Sequence, residues 1–135
     1  MPTTLSSILD RFAGQRVLVI GDAILDHYIL GGVKRTSPEA PVPVLNVEGE
    51  EWLPGGAANV ARNLAAQGAR VSFISIRGKD EAGEKLGELL GASESITLVF
   101  QTDASRPTPL KTRAVAQGQQ MLRLDRKRPG PLPAA

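Results

Sequence analysis

The chain has 135 residues, 41% hydrophobic and 22% charged, with a formal net charge of +2, which suits one globular domain with its own core. It has no cysteine and one histidine, His27, so disulfide frameworks, thiolate metal sites and any site needing two histidines are excluded. The five aromatics are Phe12, Tyr28, Trp52, Phe73 and Phe100, which leaves an aliphatic core. No run approaches the ~18 apolar residues that span a bilayer and no basic flank precedes an apolar run as in a secretory signal, so the expectation is a cytoplasmic protein without membrane contact.

Residues 3–13 predict a short amphipathic helix with Leu5, Ile8, Leu9 and Phe12 on one stripe, stopped by Gly14. The aliphatic run 17–20 predicts a strand buried on both faces, as in a parallel sheet. The segments 28–30 and 42–47 read as extended. Pro38, Pro41 and Pro43 exclude helix between them and place the region at an edge or outside the main sheet. Residues 57–67 predict a helix with Val60, Ala61, Leu64 and Ala65 inward and Gly68 as its stop. A strand at 71–76, a helix at 80–90 ended by Gly91, and a strand at 96–100 follow. Pro107 and Pro109 break the chain. Residues 110–116 and 120–125 then predict a hairpin turning at Gln117-Gly118-Gln119. Alternating strands and helices imply an α/β fold with a parallel sheet. Residues 128–135, proline-rich and without periodicity, are expected to be a disordered tail.

Asp22 follows the first strand, where α/β sheets place ligands. Its carboxylate can accept hydrogen bonds from sugar hydroxyls or cap a local turn, and Asp26 lies one turn further on. Gly55 and Gly56 before a helix offer bare backbone N–H groups and close ligand approach, or simply a glycine turn. Asn59 in the first turn can both donate and accept, which suits a diol. No G-x-G-x-x-G follows the first strand and no P-loop lysine follows the glycines, so dinucleotide and Walker-type sites are excluded.

Lys111 and Arg113 alternate on one strand face, with Arg123 on the partner strand. They can clasp a phosphate or guard a solvated edge. Residues 1–100 carry a net charge of −3 and residues 101–135 one of +5, an excess that includes Arg126, Lys127 and Arg128. No aromatics interleave these cations for base stacking, so the excess reads as a solvated end rather than a nucleic-acid patch. His27 reads as a packing or hydrogen-bonding residue.

Three segments at one spacing carry a resemblance: 17–22 with Asp26, the run Thr36-Ser37-Pro38-Glu39-Ala40-Pro41-Val42-Pro43-Val44, and Pro54-Gly55-Gly56-Ala57-Ala58-Asn59-Val60-Ala61. Together they resemble the start of a ribokinase-type sugar kinase of the PfkB family. Lys111-Thr112-Arg113 and the run 119–125 are similar to its heptose 7-phosphate kinase subgroup. The resemblance covers about residues 10–125. It implies the N-terminal half of a ribokinase-like three-layer sandwich over residues 1–127, with a small β lid at about 27–51 that pairs two subunits into a homodimer. It implies ATP and Mg²⁺ as cofactors and a sugar phosphate as substrate, phosphorylated at O1 of heptose 7-phosphate in the ADP-heptose route to lipopolysaccharide. It assigns Asp22 and Asn59 to sugar hydroxyls, with Asp26 beside them, Gly55 and Gly56 to close approach, and Lys111 and Arg113 to the phosphate or the lid.

The 135 residues hold no Gly-Ala-Gly-Asp run, the family's oxyanion helix end and catalytic base. No catalytic residue and no metal ligand is therefore assigned. The expectation is a truncated, frameshifted or fragmentary kinase that is inactive alone. The alternative is a non-catalytic sugar-phosphate-binding or dimerisation module.

Overall fold

The computed structural model describes residues 5–127 and Gly130. The predicted helix start at residues 3–4 and the expected tail at 128, 129 and 131–135 lie outside the described residues. The described part of the predicted first helix is not one continuous α-helix. It is α1 (Leu5–Leu9) followed by a 3₁₀ turn at Asp10–Phe12, ahead of Gly14 at φ +76°. Its stripe is not buried, since Ile8, Leu9 and Phe12 stay exposed.

β1 (Arg16–Ile20), β4 (Arg70–Gly78) and β5 (Ile96–Asp103) form a parallel sheet in the order β1-β4-β5. α2 (Ala57–Ala66) lies between β1 and β4 in sequence, and α3 (Glu81–Gly91) joins β4 to β5. The strand order advances in one direction only. Right-handed crossovers then put both helices on the same face of the sheet. That face carries the core: Val71 and Phe73 of the sheet, Ala58 and Ala61 of α2, and Leu86 and Leu90 of α3. Phe73 meets Phe100 edge to face at 5.9 Å.

The opposite face is bare, which corrects the expectation that the first strand is buried on both sides. Leu18 is 58% and Ile20 69% exposed, and Ile74 and Val99 of the neighbouring strands lie open beside them. Val60 is a second correction. The buried stripe of α2 runs through Ala58 and Ala61, with Leu64 and Ala65 partly buried, and Val60 falls off that stripe into solvent.

The second sheet has the order β3-β2-β6-β7, built from β2 (Ala23–Thr36), β3 (Pro43–Gly56), β6 (Leu110–Ala116) and β7 (Gln119–Arg126). Pro38 and Pro41 fall in the turn between β2 and β3, and Pro43 begins β3, an edge strand. That is where a missing N–H does least harm. The hairpin β6–β7 turns at Gln117 (φ +47°) and Gly118 (φ +77°), the two positive values of a type I′ turn. Gly68 ends α2 at φ +86°, with the Ala69 N–H bonding back to the Leu64 carbonyl at 3.2 Å. Among the described residues no helix is long and apolar enough to cross a membrane.

The sheets are tied by Thr108, which is fully buried. Its hydroxyl donates to Asp80 Oδ1 at 2.6 Å and accepts from the Gly78 N–H at 2.9 Å, while its own N–H donates to Asp80 Oδ2 at 2.9 Å. Asp80 is also the N-cap of α3, accepting from the Gly83 N–H at 2.9 Å. One residue later the Pro109 carbonyl accepts from the Leu25 N–H at 2.8 Å, and β6 begins. Burial pushes the Asp80 carboxyl up, but the Thr108 hydroxyl and N–H, the Gly83 N–H and the Arg126 charge outweigh it and hold it below its ordinary value.

Thr108→Val keeps the shape of the side chain but leaves the Gly78 N–H without its acceptor and removes one of the two hydrogen bonds to Asp80 Oδ1. It is expected to cost about 1–3 kcal/mol in urea unfolding. Because the folded-state value of Asp80 is lowered, its contribution is complete above the unfolded value of 3.8 and is lost as pH falls through the folded one. Unfolding of Asp80→Asn followed from pH 7 to pH 2 is expected to show a shallower acid limb than the unchanged chain.

Candidate functional site

Three chain segments meet where β1 ends. The Ala23 N–H, at the start of β2, donates to Ser75 Oγ of β4 at 3.0 Å. The Ala57 N–H, the first of α2, donates to the Asp22 carbonyl at 3.0 Å. Gly56 joins β3 to α2 at φ +58°, and a Cβ there would stand 2.6 Å from the Asp22 carbonyl oxygen. The Asp22 backbone is thereby held against the start of α2, while its side chain is exposed. No side chain caps α2, so its next backbone N–H groups face outward from a positive helix end.

Strand register decides the rest. On β2, Ala23, Leu25 and His27 are buried, and Ile24, Asp26 and Tyr28 lie on the other face. Residues paired directly across a ladder share a face. Gly55 pairs with Ile24 and Leu53 with Asp26. Lys111 pairs with Asp26 and Arg113 with Tyr28, and Asp125 and Arg123 stand opposite them on β7. One face of the second sheet therefore collects Asp26, Gly55, Lys111, Arg113, Arg123 and Asp125.

Within that group the charges are already sorted. Arg113 Nη1 donates to Asp26 Oδ1 at 2.6 Å, and its guanidinium lies 5.0 Å over the Tyr28 ring. The Asp26 hydrogen bond holds the Arg113 guanidinium above its ordinary value, against the opposing effect of burial. Asp26 Oδ2 lies against Gly55, where any Cβ would collide with it. Arg123 is bound by Asp125 through Nε at 2.9 Å and Nη2 at 3.2 Å. Lys111 has no ion-pair partner among the described residues.

Asp22, Ile24, Lys111, Asp125, Arg126 and Lys127 line one cleft of about 320 Å³. Asp22 and Lys111 thus come together, and Gly56 sits beside the Asp22 backbone. Asp26, Gly55 and Arg113 form a neighbouring cluster on the same sheet. Asn59 stays apart from the cleft lining: it lies in the first turn of α2, and its Oδ1 accepts from Arg62 at 3.5 Å. Sequence reasoning missed Arg126 and Lys127 as cleft residues. The signal was the hairpin register, which sets Leu110 opposite Arg126 and Lys111 opposite Asp125. His27 stacks on Trp52 at 3.6 Å and its Nε2 meets Glu50 at 2.8 Å, a packing and hydrogen-bonding role.

The pfkB family carbohydrate kinase profile matches residues 15–128. The bifunctional protein HldE of Hyphomonas neptunium is 49% identical over 135 residues, covering 100% of this chain and 28% of that protein. The D-beta-D-heptose 7-phosphate kinase of Bordetella bronchiseptica is 49% identical over 116 residues, covering 86% of this chain and 37% of that protein. The chain thus spans only 28% and 37% of these two relatives. A carbohydrate kinase from Agrobacterium tumefaciens superposes with a TM-score of 0.63 at 29% identity, over 82% of this chain and 35% of that one. An Arabidopsis thaliana ribokinase complexed with ribose and ATP does so at 0.64 and 21% identity, over 84% of this chain and 36% of that one. The fold is ribokinase-like.

Gly56→Ala and Gly55→Ala are expected to differ. At Gly56 the positive φ and the facing backbone oxygen both oppose a side chain, and neither can yield. At Gly55 the obstacle is the end of the Asp26 side chain. Gly56→Ala is expected to cost about 2 kcal/mol or more, from strain of the order such backbone conformations carry, and Gly55→Ala less. Urea midpoints of the two variants against the unchanged chain check the order.

Proposed function

The chain belongs to the pfkB family of carbohydrate kinases, and from this premise we propose that it carries the sugar-binding part of a kinase acting on heptose 7-phosphate. The observation that carries the reading is the shared cleft. Asp22 supplies a carboxylate for sugar hydroxyls, and Lys111 supplies a positive charge within reach of a phosphate on the same molecule. The uncapped start of α2 adds backbone N–H groups beside Asp22, and Asn59 extends the polar surface along the first turn. Residues 27–51, most of the β2–β3 hairpin on one side of the second sheet, serve as the lid over the sugar. The identity to relatives named HldE and D-beta-D-heptose 7-phosphate kinase supports heptose 7-phosphate as the substrate.

ATP and Mg²⁺ belong to this reaction class, and the bound ion would neutralise the transferring phosphoryl group. Among the described residues no three His, Cys, Asp or Glu side chains come together to hold a metal by themselves, and Mg²⁺ in this chemistry takes one or two carboxylates together with the nucleotide phosphates. No residue of this chain is assigned to the nucleotide or the ion, and none to the catalytic base.

Calorimetric titration with heptose 7-phosphate is the test. The 135-residue chain is expected to bind it and, with ATP and Mg²⁺ added, to form no bisphosphate, since a positioned base alone is worth roughly 10²–10⁴ in rate. Asp22→Ala is expected to weaken binding about 10–100-fold, the range for a hydrogen bond to a charged group. Unchanged affinity in that variant would remove Asp22 from the site.

Pairing of two copies through the second sheet is part of the same reading. β3 and β7 are its open edges, and Met121, Leu122 and Leu124 of β7 are exposed apolar side chains. Sedimentation of the unchanged chain is expected to show dimers. Leu122→Lys with Leu124→Lys is expected to shift them toward monomer.

A further inference from the structure

Lys111 and Arg113 have the same sign and the same strand face, but different surroundings. Arg113 is engaged on two sides, by the Asp26 carboxylate at 2.6 Å and by the Tyr28 ring, and the Arg113 and Asp26 side chains are each only 19% exposed. Its charge is matched, and its planar fork is oriented by a partner that is itself half enclosed. Asp26 is held equally firmly. One oxygen is fixed by Arg113, and the other lies in the space that Gly55 leaves by lacking a side chain. Moving Arg113 onto a substrate phosphate would strand a carboxylate in a partly buried position, which is costly.

Lys111 is placed differently. It stands directly across from Asp26 in the ladder, lines the cleft with Asp22, and has no ion-pair partner among the described residues. Arg123, the third cation of this face, is closed off by Asp125 through two nitrogens. Of three cations on the face, two are matched by carboxylates and one is left for an incoming anion. A phosphate carries about −1.5 to −2 charge at neutral pH. It gains most from a cation that gives up no partner.

We propose that Arg113 is a positioning residue that holds the Asp26 carboxylate toward the sugar, and that Lys111 is the side chain that contacts the substrate phosphate. This rests on the sugar-phosphate reading above and divides its two basic residues into separate tasks. Gly55 acquires a specific reason as well: it seats the Asp26 carboxylate rather than the sugar.

The test compares heptose 7-phosphate with the same heptose lacking the phosphate, by calorimetry at low and moderate salt. The variants are Lys111→Met, Arg113→Met, Asp26→Asn and the Arg113→Met/Asp26→Asn pair. Lys111→Met is expected to lower the preference for the phosphorylated sugar about tenfold or more and to remove most of its salt dependence. Arg113→Met is expected to weaken both sugars by the same factor and leave that preference unchanged. Adding Asp26→Asn to it is expected to bring little further loss, because the two side chains act as one unit. An Arg113→Met variant that loses the phosphate preference overturns the division of roles. So does one with a lower unfolding midpoint but unchanged affinity for both sugars. If the unchanged chain binds neither sugar, the proposed function falls and this inference with it. If it binds both and Arg113→Met alone shifts the preference, only this inference falls.

Discussion

Thr108 is wholly enclosed, and its hydroxyl and amide serve three segments at once: the end of β4, the start of α3 and the link from β5 to β6. The two sheets share no ladder of hydrogen bonds. Their relation is set by the apolar core that Ala23 and Leu25 share with Phe73, Leu86 and Leu90, and by this small polar knot together with the Ser75 hydroxyl under Ala23 and the Asp22 carbonyl over Ala57. A buried hydroxyl with both its donor and its acceptor capacity used is stable in place, and each partner would be costly to leave alone. Because the knot ends one residue before Pro109, it fixes where β6 enters and hence which residue of β6 faces Asp26. A slip of one position would turn Lys111 and Arg113 to the buried side of the second sheet.

The electrostatic character of the site follows from that register. Lys111 and Arg113 look interchangeable as a pair of basic residues on one strand. Placed beside β2, one meets a carboxylate diagonally and the other faces an open cleft. The difference comes from the partner strand rather than from either residue. The same holds on β7, where Arg123 and Asp125 neutralise each other two positions apart. The cleft gains two further positive side chains, Arg126 and Lys127, because the hairpin folds the basic end of the chain back toward Asp22.

The bare face of the parallel sheet has a geometric origin. Strands added in one direction with right-handed crossovers keep their helices on a single side. Leu18, Ile20, Ile74 and Val99 are left in contact with water as a consequence. Contiguous apolar exposure of this kind favours association with another surface. The solved kinases it superposes on are longer, the matched part of this chain covering 35% and 36% of two of them. The described residues supply three parallel strands and the two helices on one face of a ribokinase-like fold.

Much of the architecture is local and was legible in the chain itself. Aliphatic runs at 17–20, 71–76 and 96–100, glycine stops after the helices and the Gln117-Gly118 turn each carry their own conformational preference, so they mark β1, β4, β5, α2, α3 and the β6–β7 hairpin within a residue or three. The prolines at 38, 41 and 43 likewise mark an edge, because a residue without an N–H is excluded from the middle of a sheet. The PfkB family membership was also legible, since it lies in the wording and spacing of short segments. Tertiary structure alone decided which faces are covered, because burial depends on the direction in which strands are added. It alone decided that Thr108 and Asp80 join the sheets, since a threonine between two prolines carries no local signal of a partner 28 residues away. And it alone decided which of two like-charged side chains is held in an ion pair, because a pairing across 87 residues of sequence is set by strand register and by nothing nearby in the chain.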